Sequence, residues 1–328
     1  MLLLNEAAIR EFFTLQDAVE AVKKAFSLFS DGRIQVPLRT RINASGRDGT
    51  FLCMPAYCEE EAAACVKVLN IFKGNADIGL PTLTAWILVM DAETGEINGL
   101  VDGTFVTKLR TGAASGAAFE LLARETCAKG ALIGTGGQAA TQLEAMLAAR
   151  ELAEVQLCGR DFERAERFAA AMRERLSRYG TRITAVRQAD AAVADADLIV
   201  TVTPSEAPVF NAGMIKPGAT LSCVGSYQPH MRELDPGALA RASKIYFDSG
   251  EAVLSEAGDI IIPLADGTIT GEKFSGDLGQ LINGTITGRG NDEEIIIFKT
   301  VGIAAQDLIT AKAIYDKALK GGFGFHWT

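Results

Sequence analysis

The 328-residue chain has only two histidines, His230 and His326, and its six cysteines contain no C-x-x-C pair. A histidine-based proton relay is therefore poorly supplied. His326 falls in the C-terminal tail and His230 in a proline-bearing turn, so both read as surface residues. Cys53, Cys58, Cys65, Cys127, Cys158 and Cys223 lie mostly in apolar runs such as Leu157-Cys158 and Leu221-Ser222-Cys223. They read as reduced, small hydrophobes, with neither a disulfide framework nor a metal site expected. There is no Lys/Arg block, and the formal net charge is −9. An acidic surface repels phosphate backbones and anionic membranes, which argues against nucleic acid and lipid partners. No stretch reaches the roughly 20 apolar residues of a membrane span. The opening Met1-Leu2-Leu3-Leu4-Asn5-Glu6 carries too short an apolar run for a signal peptide, so a cytoplasmic location is expected. With 9 prolines and 22% charged residues, disorder is excluded as well.

What is present is a chain 48% hydrophobic, more than one compact domain usually needs, and two domains are expected. A helix is predicted over 14–30, opened by a capping box of Thr14 with Asp17, with Val19, Val22, Phe26 and Phe29 on one face. Strand-like runs follow at 38–42, 50–54, 64–71 and 82–91, with another through Val101, then a helix over 106–124. This first third reads as an α+β unit with a mostly antiparallel sheet. The pattern then changes to strands at 131–133, 154–158, 182–186, 197–203, 219–224 and 244–248. Helices are expected at 141–152, 162–178 and 190–194. Alternating β and α with continuously apolar strands means a parallel sheet wrapped by helices. A strand at 295–298 and a helix over 302–319 close the chain. The fold class is thus α/β: a doubly wound Rossmann sheet (117–302) plus an α+β unit (1–116 and 303–328).

Gly134-Thr135-Gly136-Gly137-Gln138-Ala139 is G-x-G-x-x-A between a predicted strand and a predicted helix. That context turns a weak motif into a dinucleotide cradle. The first glycine permits the tight turn and the second lets the backbone approach a pyrophosphate. The small third residue lets helix and strand pack, and the helix N-terminus faces the phosphates. The next strand ends Cys158-Gly159-Arg160-Asp161. Gly159 occupies the position where NAD-selective sites carry an acid, and an arginine beside an uncommitted ribose pocket suits the 2′-phosphate of NADP. The cofactor is read as NADP(H) or NAD(H), with Asp161 as the residue that could still serve the ribose.

A dehydrogenase also needs a substrate anchor and a proton donor. Lys67 interrupts the apolar strand Ala64-Cys65-Val66-Lys67-Val68-Leu69. It either snorkels at an edge or is desolvated and aimed into a cleft. Arg39 and Arg41 alternate with apolar residues and are expected to project from one face of a strand. Arg110 sits on the helix after Thr107. Together they form a candidate carboxylate clamp.

Further short motifs run in order along the chain: Pro37-Leu38-Arg39-Thr40, Met54-Pro55-Ala56-Tyr57, Gly79-Leu80-Pro81-Thr82, and Met90-Asp91 with Thr94-Gly95. Asp102-Gly103, Thr107-x-x-Arg110-Thr111 and Thr203-Pro204-Ser205 come next. Gly225 follows with Pro229 and Arg232-Glu233-Leu234-Asp235, then Phe298-Lys299-Thr300-Val301-Gly302 with Asp307. With the glycine turn, they make the chain resemble the ornithine cyclodeaminase/mu-crystallin family over essentially its whole length. The resemblance implies a homodimer paired through the sheet of the first domain, a Rossmann second domain and a C-terminal helix returning to the first. It implies that Arg39 and Arg110 bind a substrate carboxylate, with Arg41 and Met54 at the same site, and that Lys67 is the polar catalytic residue. Thr82, Arg110, Thr111, Gly134, Gly136, Gly137, Gln138, Ala139, Gly159, Arg160, Asp161, Thr203, Ser205, Val224, Gly225 and Ser226 are the implied cofactor contacts.

One position departs from the ornithine cyclodeaminases, which resemble one another in an aspartate two residues before the proline of the loop Gly225-Ser226-Tyr227-Gln228-Pro229. Here Tyr227 stands in its place. A phenol, with an ordinary pKa of about 10, is a donor rather than a ready base near neutrality. The expectation is therefore an NAD(P)H-dependent reductase of 2-imino acids, with Tyr227 as a second donor. Cyclic Δ1-pyrroline-2-carboxylate or Δ1-piperideine-2-carboxylate is the first-choice substrate, and open-chain imines are the other. The alternatives are ornithine cyclodeaminase itself and a non-catalytic NADPH-binding protein of the mu-crystallin kind.

Overall fold

A computed structural model describes residues 1–44, 46 and 49–327. The chain divides into two compact units, Met1–Arg110 with Ile303–Thr328, and Thr111–Gly302. The division falls six residues before the expected boundary at 116, within the same helix, which has no break in composition to mark it.

The first unit is built on β1 (Leu2–Leu4), α1 (Glu6–Phe12), α2 (Leu15–Ser30), β2 (Thr40–Ala44), β3 (Gly49–Cys58), β4 (Ala63–Phe72), β5 (Leu83–Asp91) and β6 (Ile97–Asp102). The helix shared by both units is α3 (Gly103–Leu122). The capping box forms as expected. Thr14 Oγ1 accepts from the Asp17 amide and the Asp17 carboxylate accepts from the Thr14 amide at 2.8 Å, satisfying two of the helix's orphan donors.

Burial alternates along the strands. On β3, Leu52, Met54, Ala56 and Cys58 are buried while Phe51 and Cys53 are exposed, which is the period-2 signature of a sheet covered on one side. The register aligns Met54, Lys67, Ile87 and Val101 across β3 to β6 on the covered face. The outer face aligns Cys53, Val68 and Trp86.

Three parts of this unit differ from expectation. β2 starts at Thr40, so Arg39 lies before the strand and Arg41 within it, exposed. Cys53 is exposed, unlike the other five cysteines, because it sits on the outer face. The short run Leu2–Leu4 pairs in parallel with β6, a contact that three residues of sequence could not announce.

The second unit runs β7 (Lys129–Ile133), α4 (Ala139–Ala149), β8 (Glu154–Cys158), α5 (Phe162–Arg175), β9 (Arg182–Ala185), α6 (Ala189–Val193), β10 (Leu198–Thr201) and β11 (Thr220–Cys223). Next come α7 (Pro236–Arg241), β12 (Lys244–Phe247), α8 (Gly250–Glu256), α9 (Gly258–Ala265), β13 (Phe274–Asp277), α10 (Leu278–Ile282) and β14 (Ile296–Lys299). Its eight strands lie in the order β13-β12-β14-β11-β10-β7-β8-β9, all parallel. Every residue of β10, β11 and β14 is buried. The strand order reverses direction between β7 and β10, and a doubly wound sheet binds its ligand outside the carboxyl ends of such a pair. The chain then re-enters the first unit as α11 (Ala304–Gly321), which packs on the covered faces of β3, β4 and β5 and ends at the edge strand β15 (Phe325–His326). No helix is long and apolar enough to cross a membrane among the described residues.

Candidate active site

In the second unit the glycine turn follows β7 directly. Gly134 has φ +117°, and a Cβ there would stand 2.6 Å from the Val202 carbonyl on the turn after β10. Only glycine meets both conditions. Gly136 and Gly137 are exposed, and a Cβ on either would meet nothing within 4 Å. Ala139 is fully buried where α4 begins. The Gln138 side chain makes no capping bond, so the first-turn amides of α4 have no side-chain acceptor. An open glycine cradle ahead of an uncapped helix N-terminus is the donor set that a pyrophosphate fits.

At the end of β8, a Cβ on Gly159 would approach the Thr135 hydroxyl to 2.9 Å, so any larger residue there would require that side chain to move. The Asp161 carboxylate caps α5, its Oδ1 accepting from the Arg164 amide at 3.0 Å. Arg160 is exposed, and Arg164 reaches back to the Thr135 carbonyl at 3.5 Å. The segments 203–205 and 224–226 follow the carboxyl ends of β10 and β11, on the ligand side of the sheet. Thr111 is buried, and its carbonyl accepts from Gln142 Nε2 at 3.0 Å. Tyr227 is half-buried on the loop beyond Ser226.

In the first unit, Lys67 is 1% exposed, so the snorkelling reading is excluded. Its Nζ donates to Asp307 Oδ2 at 2.5 Å. Arg110 Nε donates to Asp307 Oδ1 at 3.2 Å, and Arg110 Nη1 to Gln306 Oε1 at 3.2 Å. One carboxylate thus holds two cations, one on each oxygen, and Gln306 fixes the guanidinium's second edge. Met54 lies opposite Lys67 on β3, buried. Arg39 is half-buried and near enough to act on the Lys67 charge. Arg41 stays exposed on β2, and Thr82 is exposed just before β5, its carbonyl accepting from the Phe72 amide.

The charges explain the titration. Burial pushes the Lys67 ammonium down to about 8, Asp307 opposes that, and Arg110 and Arg39 reinforce it. Burial alone would raise the Asp307 carboxyl, but Lys67 and Arg110 outweigh it and hold it below the usual range. Lys67 and Arg110 share the Asp307 carboxylate and Arg39 acts on the Lys67 charge from nearby, a cationic setting that favours a small anionic ligand. An ammonium poised near 8 is a proton donor that is mostly charged at neutrality yet gives up its proton readily.

Asp307 and Gln306 lie far from Lys67 in sequence. Asp307 was visible only as a motif residue, with no sign of what it pairs. An acid in the first turn of the last helix, just before the apolar pair Leu308-Ile309, was the available signal.

The family model of the ornithine cyclodeaminase/mu-crystallin family matches residues 1–322. A Δ1-pyrroline-2-carboxylate reductase of Bacillus cereus is 36% identical over 324 residues, covering 99% of this chain and 98% of that protein. The solved Δ1-pyrroline-2-carboxylate reductase of Thermococcus litoralis, in complex with NADH and L-proline, superposes with a TM-score of 0.94 at 37% identity, over the whole of both chains. An archaeal alanine dehydrogenase dimer with bound NAD gives a TM-score of 0.91 at 33% identity, covering 100% of this chain and 99% of that one.

Proposed function

Because the chain belongs to the ornithine cyclodeaminase/mu-crystallin family, we propose that it is an NAD(P)H-dependent imino-acid reductase whose substrates are cyclic 2-imino acids such as Δ1-pyrroline-2-carboxylate. The observation that carries this reading is the buried triad of Lys67, Asp307 and Arg110 with Arg39 beside it. Arg39 and Arg110 hold the substrate carboxylate and orient the C=N carbon. The reduced nicotinamide supplies the hydride. Lys67 gives the proton to nitrogen, directly or through a water, and Asp307 keeps Lys67 charged until it does so. Met54 lines the same covered face. Tyr227 is a second donor, in place of the acid that a cyclising deamination would use.

The cofactor sits on the glycine cradle. With Gly159 at the acidic position and Asp161 capping α5 through one oxygen, NADPH is accepted, with Arg160 as its partner. The solved relatives named above hold NADH and NAD, so the two cofactors must be compared directly.

The experiment is a panel of cyclic imines, and of 2-keto acids with ammonia or methylamine, read by loss of nicotinamide absorbance with NADH and with NADPH. Steady consumption with a cyclic imine is expected. Ammonia release from ornithine with no net cofactor change would replace this reading with a cyclodeaminase, and tight cofactor binding without turnover would replace it with a binding protein. A clear preference for NADH in kcat/KM would remove Arg160 from the cofactor site.

The outer face of the seven-stranded sheet supports a homodimer. Ile42, Phe51, Val68 and Trp86 are 62%, 43%, 39% and 46% exposed. Ile42 lies opposite Phe51, and Val68 opposite Trp86. A contiguous apolar face of this kind is what a self-complementary interface buries. Light scattering should return a dimer mass, and Trp86→Lys should shift it towards the monomer. A monomer at micromolar concentration in the unsubstituted protein would overturn the assignment.

A further inference from the structure

Arg232-Glu233-Leu234-Asp235 lies between α9 and the ligand side of the parallel sheet, and its glutamate is fully buried. Glu233 Oε1 accepts from the Thr203 amide at 2.5 Å and from Thr203 Oγ1 at 2.8 Å. Oε2 accepts from the Gly225 amide at 2.6 Å and from Thr201 Oγ1 at 3.1 Å. One carboxylate therefore bonds both the turn after β10 and the turn after β11. The two turns are pressed together at this point. A Cβ on Gly225 would collide with the Thr203 carbonyl and stand 2.5 Å from Glu233 Oε2.

Glu233 is itself held. Its amide and that of Leu234 donate to Asp259 Oδ1 at 2.7 and 2.9 Å. Lys299 Nζ lies 3.2 Å from Asp259 Oδ2 and donates to the Cys223 carbonyl at 3.2 Å. The neighbouring backbone is tied in as well, since the Arg232 amide donates to the Ser205 carbonyl and Ser226 Oγ to the Met231 carbonyl, both at 2.8 Å.

We propose that Glu233 is a positioning residue that clamps segments 203–205 and 224–226 into one platform for the dinucleotide. The platform's use rests on the cofactor reading above; the clamp itself does not. Each carboxylate oxygen accepts from one fixed backbone N–H group, so an amide in its place would turn its nitrogen against one of them, and protonation weakens the bonds that the charged form makes. The charged groups facing Glu233 are Asp259 and Lys299. Burial first, and then Asp259, push its carboxyl up to about 7, against the opposing pull of Lys299 and the Thr203 bonds. The clamp consequently weakens as pH falls through neutrality.

The test compares the unsubstituted protein with Glu233→Gln. Hydrogen exchange of the ligand-free protein, corrected for intrinsic rates, should quicken at least tenfold at pH 8 in both segments together. Acceleration in one segment or neither overturns the clamp. NADH and NADPH titrations, read by nicotinamide fluorescence, should give a Kd at least tenfold weaker for the variant. In the unsubstituted protein the Kd should weaken several-fold from pH 8 to pH 6, whereas the variant should be flat. Faster exchange with an unchanged Kd overturns the platform's role. If neither cofactor binds the unsubstituted protein, the cofactor reading fails while the exchange result still decides the clamp. If the variant does not fold, the same pH comparison of exchange in the unsubstituted protein decides it: loosening of both segments towards pH 6 supports the clamp, and its absence overturns it.

Discussion

Replacing Lys67 by methionine is expected to lower kcat for imine reduction about a thousandfold while NADH and NADPH bind as tightly as before. The substitution removes the proton donor but leaves Asp307 paired with Arg110, so no buried carboxylate is stranded. The glycine cradle, on a separate unit, is untouched. The pH profile identifies the donor. Lys67 must be protonated to act, and its ammonium is held near 8. The reductive kcat/KM should be level below about pH 8 and fall about tenfold per unit above it. A bound substrate carboxylate adds negative charge beside the ammonium and raises its pKa, so the alkaline limb of kcat should lie at higher pH than that of kcat/KM. Lys67→Arg keeps the charge, but its pKa of above about 12 makes it a poor donor. That variant should be slow and should show no alkaline limb up to pH 10. Turnover by Lys67→Met within tenfold of the unsubstituted protein would remove Lys67 from the chemistry.

Legibility in the sequence followed the range of the physical signal. The second unit announced itself because buried parallel strands are unbroken apolar runs: Ala131-Leu132-Ile133, the strand ending at Thr201, and Ile296-Ile297-Phe298. The turn chemistry at Gly134 is equally local, since a positive φ and a close carbonyl leave no other residue. The sheet of the first unit was readable from alternation, and the α2 cap from Thr14 and Asp17. Short or half-buried pieces escaped. β1 has three residues, α9 carries Pro263 inside it, and β13 is half-buried throughout.

The site was half legible for a related reason. Lys67 stood out as a lone cation in an apolar strand, and Lys299 carries the same mark at the end of Ile296-Ile297-Phe298. Both are fully buried beside an aspartate, Asp307 and Asp259 respectively. The rule that singled out the first lysine applies equally to the second, which leads to the Glu233 network. What no local pattern gives is the partner. Each pairing joins residues brought together only by the tertiary fold, and the difference between half-buried Arg39, near Lys67, and exposed Arg41 depends on where β2 begins.

Asp307→Asn is expected to produce the second large effect, and the more diagnostic one. The aspartate is the one group raising the Lys67 pKa against burial and two arginines. Its loss should drive the ammonium well below 8, so the alkaline limb of kcat/KM should move down by about two pH units and the rate at pH 7 should fall about tenfold. Stability should respond with a defined sign. Breaking a buried ion pair costs about 3–5 kcal/mol, and here two cations lose their shared partner. Lys67 can relieve part of that by shedding its proton. A base whose folded pKa lies below its unfolded value gains stability as pH rises between the two, at about 1.4 kcal/mol per unit. In the unsubstituted protein that gain starts near pH 8, whereas in the variant it starts earlier. The variant's deficit in Tm should therefore be largest near pH 6, shrink as pH rises to 8, and stay constant beyond. A deficit independent of pH, with an unmoved alkaline limb, would show that Asp307 only packs the helix and that Lys67 owes its charge to something else.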